Sequence, residues 1–221
     1  MKKVGALTIG QSPRLDTVPE MEPYLAGVEI LQAGALDGLS YEEVAALAPE
    51  GGGRVLVSRL RDRSWVTLEE NKIIPLLQKQ VDNLCQQGAE LIIMLCTGKF
   101  PDVLRASVPI IYPQRLLYGV VPTVAGSGRI GVVNPDQKQL EQCVRDWSTV
   151  SSNVTAVAAN PYDPDSDWEK VARVLIQEQV DWVVLNCIGY SRRMKELLQT
   201  YTGKPVILPR TLLARIVGEV L

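Results

Sequence analysis

The feature that most constrains this chain is that it repeats itself. The segment Glu90–Gly98 aligns with Asp181–Gly189, Val108–Leu117 with Lys204–Leu213, and Val4–Gly10 with Ile130–Pro135. One such match between apolar segments is weak evidence. Three in the same order point to a duplicated unit, and two of the four cysteines, Cys96 and Cys187, fall at equivalent places in it. Both follow an uninterrupted apolar run, Leu91–Leu95 or Trp182–Leu185, of the kind that forms a strand buried on both faces.

The segments between these runs have helical character, and strands alternating with helical patterns predict an α/β fold with mostly parallel sheets. In the first half, strands are expected at Val4–Ile9, Val28–Gln32, Leu91–Leu95 and Val108–Tyr112. Tyr41–Leu47 reads as a short helix with Ser40 as N-cap and Glu43 at the capping-box position. The glycine loop Gly51–Gly53 follows, and then Arg54–Leu60 and Ser64–Leu68 read as a β-hairpin. Asn71–Gln87 is an amphipathic helix with Ile73, Ile74, Leu77, Val81 and Leu84 on one face. In the second half, strands at Arg129–Val133, Val154–Ala158, Trp182–Leu185 and Val206–Leu208 alternate with helices at Gln137–Trp147, Trp168–Gln179, Ser191–Tyr201 and Leu212–Leu221. The first half is longer mainly by the loop and hairpin of residues 51–68.

Composition removes several chemistries. The chain has no histidine, which excludes histidine general bases, Ser-His-Asp triads and histidine metal sites. No two of its four cysteines form a C-x-x-C pair, so no zinc cage is expected, and in a reducing compartment the thiols are free. Asp163, Asp165 and Asp167 lack the glycine and terminal glutamate of a calcium loop, and Asp167 reads instead as a helix N-cap. A net charge of −2 gives no bulk attraction to nucleic acid or an anionic membrane. The first ten residues do not read as a signal peptide, and no apolar stretch reaches the roughly 18 residues needed to span a bilayer. A cytoplasmic protein is expected.

In an open α/β sheet, ligands bind beyond the carboxyl ends of the strands, where Cys96 and Cys187 stand. With histidine absent, the peptide N–H groups of the strand-to-helix turns are the expected activators of the two thiols. A thiolate and a thiol on opposite sides of a bound molecule form a two-base proton-transfer pair. Cys85 and Cys143, placed inside helices, read as packing residues.

Leu7–Arg14, Gln32–Leu39, Leu95–Gly98 and Cys187–Tyr190 resemble the AroM family over nearly the whole chain. More distantly, the two-cysteine plan is similar to the aspartate/glutamate/hydantoin racemase superfamily, which includes maleate isomerases and arylmalonate decarboxylases. That resemblance implies two pseudo-symmetric Rossmann-like (flavodoxin-like) lobes, no cofactor, and catalysis by Cys96 and Cys187. It also implies an exchange of segments. Residues 1–112 with 211–221 make the first lobe, carrying the hairpin insertion near 54–68, and residues 113–210 the second. The racemases often carry a histidine after the second cysteine, where this chain has Gly189 and Tyr190, and some carry a carboxylate near the first-strand loop, for which Asp16 is the nearest candidate.

The expected partner is a small-molecule carboxylate held in an interlobe cleft. Arg14, Arg115 and Arg210 are candidate anchors, because guanidinium binds carboxylate bidentately. Arg59 and Arg61 lie in the hairpin, which would cover the cleft or build a homodimer contact, and are equally read as solvated surface residues. Gln11, Ser12, Thr97, Gly98, Asn134, Gly189 and Tyr190 complete the candidate substrate contacts. Three functions stay open at this point: a racemase or other isomerase, a decarboxylase or cis-trans isomerase leaning on one cysteine, and a binding protein or redox pair without such chemistry.

Overall fold

The apolar segments pair into two four-stranded sheets of identical connectivity. The computed structural model describes residues 1–51 and 54–221; Gly52 and Gly53, from the expected glycine loop, lie outside the described residues. The first sheet is built from β1 (Lys2–Thr8), β2 (Val28–Gly34), β5 (Leu91–Met94) and β6 (Ile110–Ile111), in the order β2-β1-β5-β6. The second contains β7 (Ile130–Asn134), β8 (Val154–Ala158), β9 (Trp182–Leu185) and β10 (Val206–Ile207), in the order β10-β9-β7-β8. Every pairing in both is parallel. Each sheet starts in the middle, adds its second strand on one side and its third on the other. Two Rossmann-like lobes result, and the point where the strand order reverses lies between β1 and β5 in one and between β7 and β9 in the other.

Parallel strands buried on both faces need cover on both sides. Helix α2 (Glu70–Gln86) packs Ile73, Leu77, Val81 and Leu84 against Leu7, Ile92 and Met94. On the opposite face, α7 (Pro209–Val220) packs Leu213, Ala214 and Val217 against Val4, Ala6 and Ile93. In the second sheet, α5 (Trp168–Gln177) and α6 (Arg192–Thr202) cover Val133, Val183 and Leu185. There α3 (Pro113–Ala125) and α4 (Leu140–Trp147) bury Leu117, Val121 and Trp147 against Ile130, Val132 and Val184. Each fully buried aliphatic side chain contributes roughly 1.5–3 kcal/mol relative to exposure. α3 thus leaves the first sheet at β6 yet packs on the second, and α7 leaves the second at β10 yet packs on the first.

Several elements differ in extent from the sequence expectation. The strand expected over 108–112 contracts to two residues, and its counterpart in the second sheet, β10, is two residues long as well. Pro109 and Pro205 have no N–H for the ladder; their carbonyls accept from Ile92 (2.9 Å) and Val183 (3.0 Å), and Pro113 and Pro209 then open α3 and α7. The expected helix over 137–147 divides into a 3₁₀ turn (Gln137–Gln139), capped by Asp136, followed by α4. The short α1 (Tyr41–Ala45) has the predicted Ser40–Glu43 capping box. The hairpin forms as β3 (Val55–Arg59) against β4 (Trp65–Glu69), antiparallel, and α2 begins immediately after it at Glu70. Among the described residues, no helix is long and apolar enough to cross a membrane.

One buried charge ties these pieces together. Arg210 on α7 is 0% exposed; its Nε and Nη2 donate to the Ile188 carbonyl (3.0 and 2.8 Å) and its Nη1 to the Asp16 carbonyl (2.8 Å). The same Nη1 lies 3.2 Å from Glu20 Oε2. Removing one partner of a buried, hydrogen-bonded pair strands the other. Arg210→Met, which keeps most of the apolar stem, is expected to lower the unfolding free energy by about 3–5 kcal/mol, measured by urea denaturation.

Candidate functional site

The two candidate cysteines stand one residue beyond short extensions of their strands. Leu95 N–H donates to Leu7 O (2.7 Å) and Asn186 N–H to Val133 O (2.8 Å), so each chain stays in register until the cysteine itself. There the backbone turns, and each sulfur accepts the N–H of the residue two positions on. Gly98 N–H lies 3.4 Å from Cys96 Sγ and Gly189 N–H 3.4 Å from Cys187 Sγ. Side chains approach both glycines closely, and at Gly189 the neighbour is a rigid ring. A Cβ on Gly98 would come within 2.7 Å of Leu56 Cδ2, and one on Gly189 would run into the Tyr162 phenol.

Cys96 and Cys187 line one cavity of about 280 Å³, with Thr97, Gly98 and Asn134 from the expected set. A chain of hydrogen bonds crosses beside them. Thr97 Oγ1 donates to Asn186 O (2.9 Å), Asn186 Nδ2 to Asn134 Oδ1 (3.0 Å), and Asn134 Nδ2 to Gln139 Oε1 (2.8 Å). Gln139 Nε2 then donates to the Val55 carbonyl of the hairpin (2.8 Å). Residues Val55–Val57 form part of the cavity wall. Arg54, at the foot of the hairpin, makes a bidentate pair with Asp146 of α4, with Nη1 at 2.7 Å and Nη2 at 3.1 Å. The insertion is therefore fastened over the cavity from two directions.

Burial sets the protonation of the thiols. It pushes Cys96 up to about 12, opposed by the Gly98 N–H, with the neighbouring Cys187 charge adding to the rise. Cys187 is raised as well, again first by burial, with the Gly189 N–H and the charges of Arg14 and Arg210 pulling the other way. The turn N–H groups do favour the thiolates, as the sequence suggested, but desolvation of a buried anion outweighs them. The surroundings also differ: Glu70 opposes and Arg14 favours ionisation of Cys96, whereas Arg14 and Arg210 together favour it at Cys187 against Asp16.

The other candidates lie outside the cavity wall. Arg14 is buried and turned onto Asp16, which accepts from Nε and Nη2 at 2.8 Å each, while Thr8 (3.0 Å) and Tyr162 (3.1 Å) accept further N–H groups. Arg59 stacks 5.5 Å over Tyr162 and lies 4.0 Å from Asp16. Gln11 accepts from the Arg61 backbone (2.9 Å), and Ser12 donates through N–H and hydroxyl to Asp37, which Arg61 also meets at 3.0 Å. Arg115 is on the surface against Asp102 and the Tyr112 ring. Tyr190 is fully buried and donates to Ala159 O (2.7 Å), and Gly189 faces Tyr162. Asp167 caps α5 by accepting from Lys170 N–H (2.9 Å).

Most other wall residues escaped sequence reasoning, and Cys143, Trp147 and Glu70 bring buried polar or thiol groups to it. Cys143, expected to be packing only, lines the cavity and receives an N–H from Asn186 at 3.8 Å. Trp147 lines it too, with a buried Nε1 that has no partner among the described residues. Glu70, at the start of α2, is 5% exposed, and its Oε2 is buried without a partner among the described residues. An acidic residue opening a helix is commonplace, so nothing local marked it. Burial pushes the Glu70 carboxyl up, against the pull of Arg54.

A family model described as AroM protein matches residues 4–221. A search of curated protein sequences gives no match. Among solved structures, allantoin racemase from Klebsiella pneumoniae is similar at a TM-score of 0.65 and 17% identity, covering 100% of this chain and 87% of that one. Glutamate racemase from Francisella tularensis, solved with D-glutamate, gives 0.63 and 15%, covering 100% and 81%. The maleate isomerase Iso from Pseudomonas putida S16 gives 0.58 and 16%, covering 100% and 93%. At such identities the likeness establishes a common fold.

Two outcomes follow from the site's construction. Gly189→Ala is expected to cost about 1–3 kcal/mol in urea denaturation, because Tyr162 is held by Arg14 and cannot simply turn aside. A carboxyl raised above its unfolded value of 4.5 binds more protons folded than unfolded, so stability falls as pH rises through that window. Glu70→Gln should therefore raise the melting temperature at neutral pH, with the gain disappearing at a pH where Glu70 is already protonated.

Proposed function

The chain belongs to the AroM family, and on that premise we propose that it is a cofactor-independent isomerase in which Cys96 and Cys187 act as an acid/base pair. The observation that carries this reading is that two cysteines at equivalent strand ends, each with its sulfur held by the same backbone N–H contact, line one cavity. On this reading residues 1–112 with 211–221 are one lobe, residues 113–210 the other, and the cavity is the cleft between them. The packing of α3 and α7 on the opposite sheet supports that division. The structural likeness to racemases and a maleate isomerase agrees with an isomerase.

The substrate is a small carboxylate or cyclic imide with an acidic C–H. One cysteine, as thiolate, takes the proton from carbon, and the other, as thiol, delivers its proton to the opposite face of the resulting enolate. Bonds and charge balance, and the pair ends with its protonation reversed. Arg14 acts on both thiols, but Cys187 also has Arg210, which favours Cys187 as the first base. Arg14 and Arg210 act through this field and by holding the loops; their own N–H groups face protein.

The test is wash-in of solvent deuterium at the acidic carbon of a panel of small carboxylates and cyclic imides, followed by NMR. Cys96→Ser and Cys187→Ser should each slow exchange by at least about a hundredfold. Retained exchange in both variants overturns the reading, and a large loss in only one points to a decarboxylase or cis-trans isomerase on the same scaffold. Because both thiols are raised, the wild-type rate should climb with pH from neutral to mildly alkaline, approaching about tenfold per pH unit. The same raised thiols favour a second reading, a carboxylate-binding protein without turnover. It predicts saturable binding by calorimetry with no exchange at any pH.

A further inference from the structure

The cavity wall contains two polar groups that the protein leaves unmet. Glu70 Oε2 is a buried acceptor without a donor, and Trp147 Nε1 is a buried donor without an acceptor, among the described residues. Both side chains line the cavity with Cys96 and Cys187. Their neighbours do have partners: Asp146 is taken by Arg54, and Asn134, Asn186 and Gln139 satisfy one another. An orphaned buried polar group costs stability, so its persistence in a ligand-sized cavity points to the ligand as the missing partner. A site built this way also rejects analogues that cannot supply the matching group.

We propose that Glu70 is a specificity-determining residue of this cavity, selecting a ligand that presents an uncharged N–H donor, a carboxamide or ureide, beside Cys96 and rejecting one that presents a second carboxylate there. An amide or ureide offers the donor that Glu70 lacks and the carbonyl that Trp147 lacks. A carboxylate at the same place offers no donor and adds a like charge beside Glu70 and Asp146. Two cations of the wall, Lys99 and Lys138, form no ion pair among the described residues and are exposed, where a single carboxylate at the other end of the ligand would meet them. Burial, opposed in part by the proximity of Arg54, leaves the Glu70 carboxyl titrating above an ordinary glutamate, so its charge develops at a higher pH than that of an exposed one. The assignment rests on the reading that this cavity is the substrate site, but its test needs no turnover.

Iodoacetamide and iodoacetate are near-isosteric thiol reagents that differ in carrying an amide or a carboxylate. Their alkylation rates at Cys96 of the full chain, read by peptide mass spectrometry in mildly alkaline buffer, measure the preference of this wall directly. The ratio of amide to carboxylate rates at Cys96 should exceed that of free glutathione by about tenfold or more, the scale of one unfavourable charge contact. In Glu70→Gln, which should be at least as stable as the parent, the ratio should fall to within about threefold of glutathione. The wild-type measurement alone can overturn the assignment, by giving the glutathione ratio at Cys96. A high ratio that Glu70→Gln leaves unmoved overturns it too, since the discrimination then comes from another group. Failure of deuterium exchange would sink the isomerase reading without touching this ratio, so the two ideas fail separately.

Discussion

Helix α7 crosses from the end of the second sheet to the face of the first, carrying Arg210 into a position where water cannot reach it. There its guanidinium holds the carbonyl next to Cys187 and the carbonyl of Asp16, and meets Glu20. A buried guanidinium is tolerated only when its N–H groups are matched, and here the partners come from both halves of the chain. The placement of the second cysteine relative to the first sheet thus depends on a single desolvated cation. Arg14 plays a related part nearby, joining Asp16 and Thr8 to Tyr162, whose ring backs the turn that follows Cys187.

Around that framework the two thiols are in equivalent backbone settings and unequal electrostatic ones. The same glycine N–H meets each sulfur, which is the duplication expressed at atomic scale. Beyond that contact, both thiols feel Arg14, while Cys96 has Glu70 near it and Cys187 has Arg210 and Asp16. Burial raises both thiols, and the charges differentiate them. A duplicated scaffold supplies two similar groups, and divergence of the surrounding charges gives them different tendencies to ionise.

The hairpin of β3 and β4 has no counterpart in the second half, yet it is bound into the cavity. Gln139 holds its backbone, Asp146 holds Arg54, and Leu56 lies against Gly98. Because α2 starts directly after β4, the hairpin also delivers Glu70 to the wall. The residue that breaks the symmetry of the two thiols therefore arrives through the insertion that breaks the symmetry of the two halves.

The sequence by itself determined the elements and their duplication. Apolar runs with a two-residue or 3.6-residue period depend on local burial patterns, and strand ends marked by Cys-x-Gly survive any detail of packing. It therefore placed Cys96, Thr97, Gly98, Asn134 and Cys187 at or just beyond the carboxyl ends of strands, where they line one cavity. The tertiary structure decided what long-range neighbours do to a side chain. Arg14, Arg115 and Arg210 looked alike as possible anchors, but Asp16 and Tyr162, Asp102, and Ile188 with Glu20 engage them respectively. Glu70, Cys143 and Trp147 had no local signature, because an unmet hydrogen bond exists only relative to atoms distant in the chain. The thiols' protonation belongs to the same class. A cysteine at a turn is favoured as thiolate by the adjacent N–H, which is local, and disfavoured by desolvation, which is set by everything packed around it.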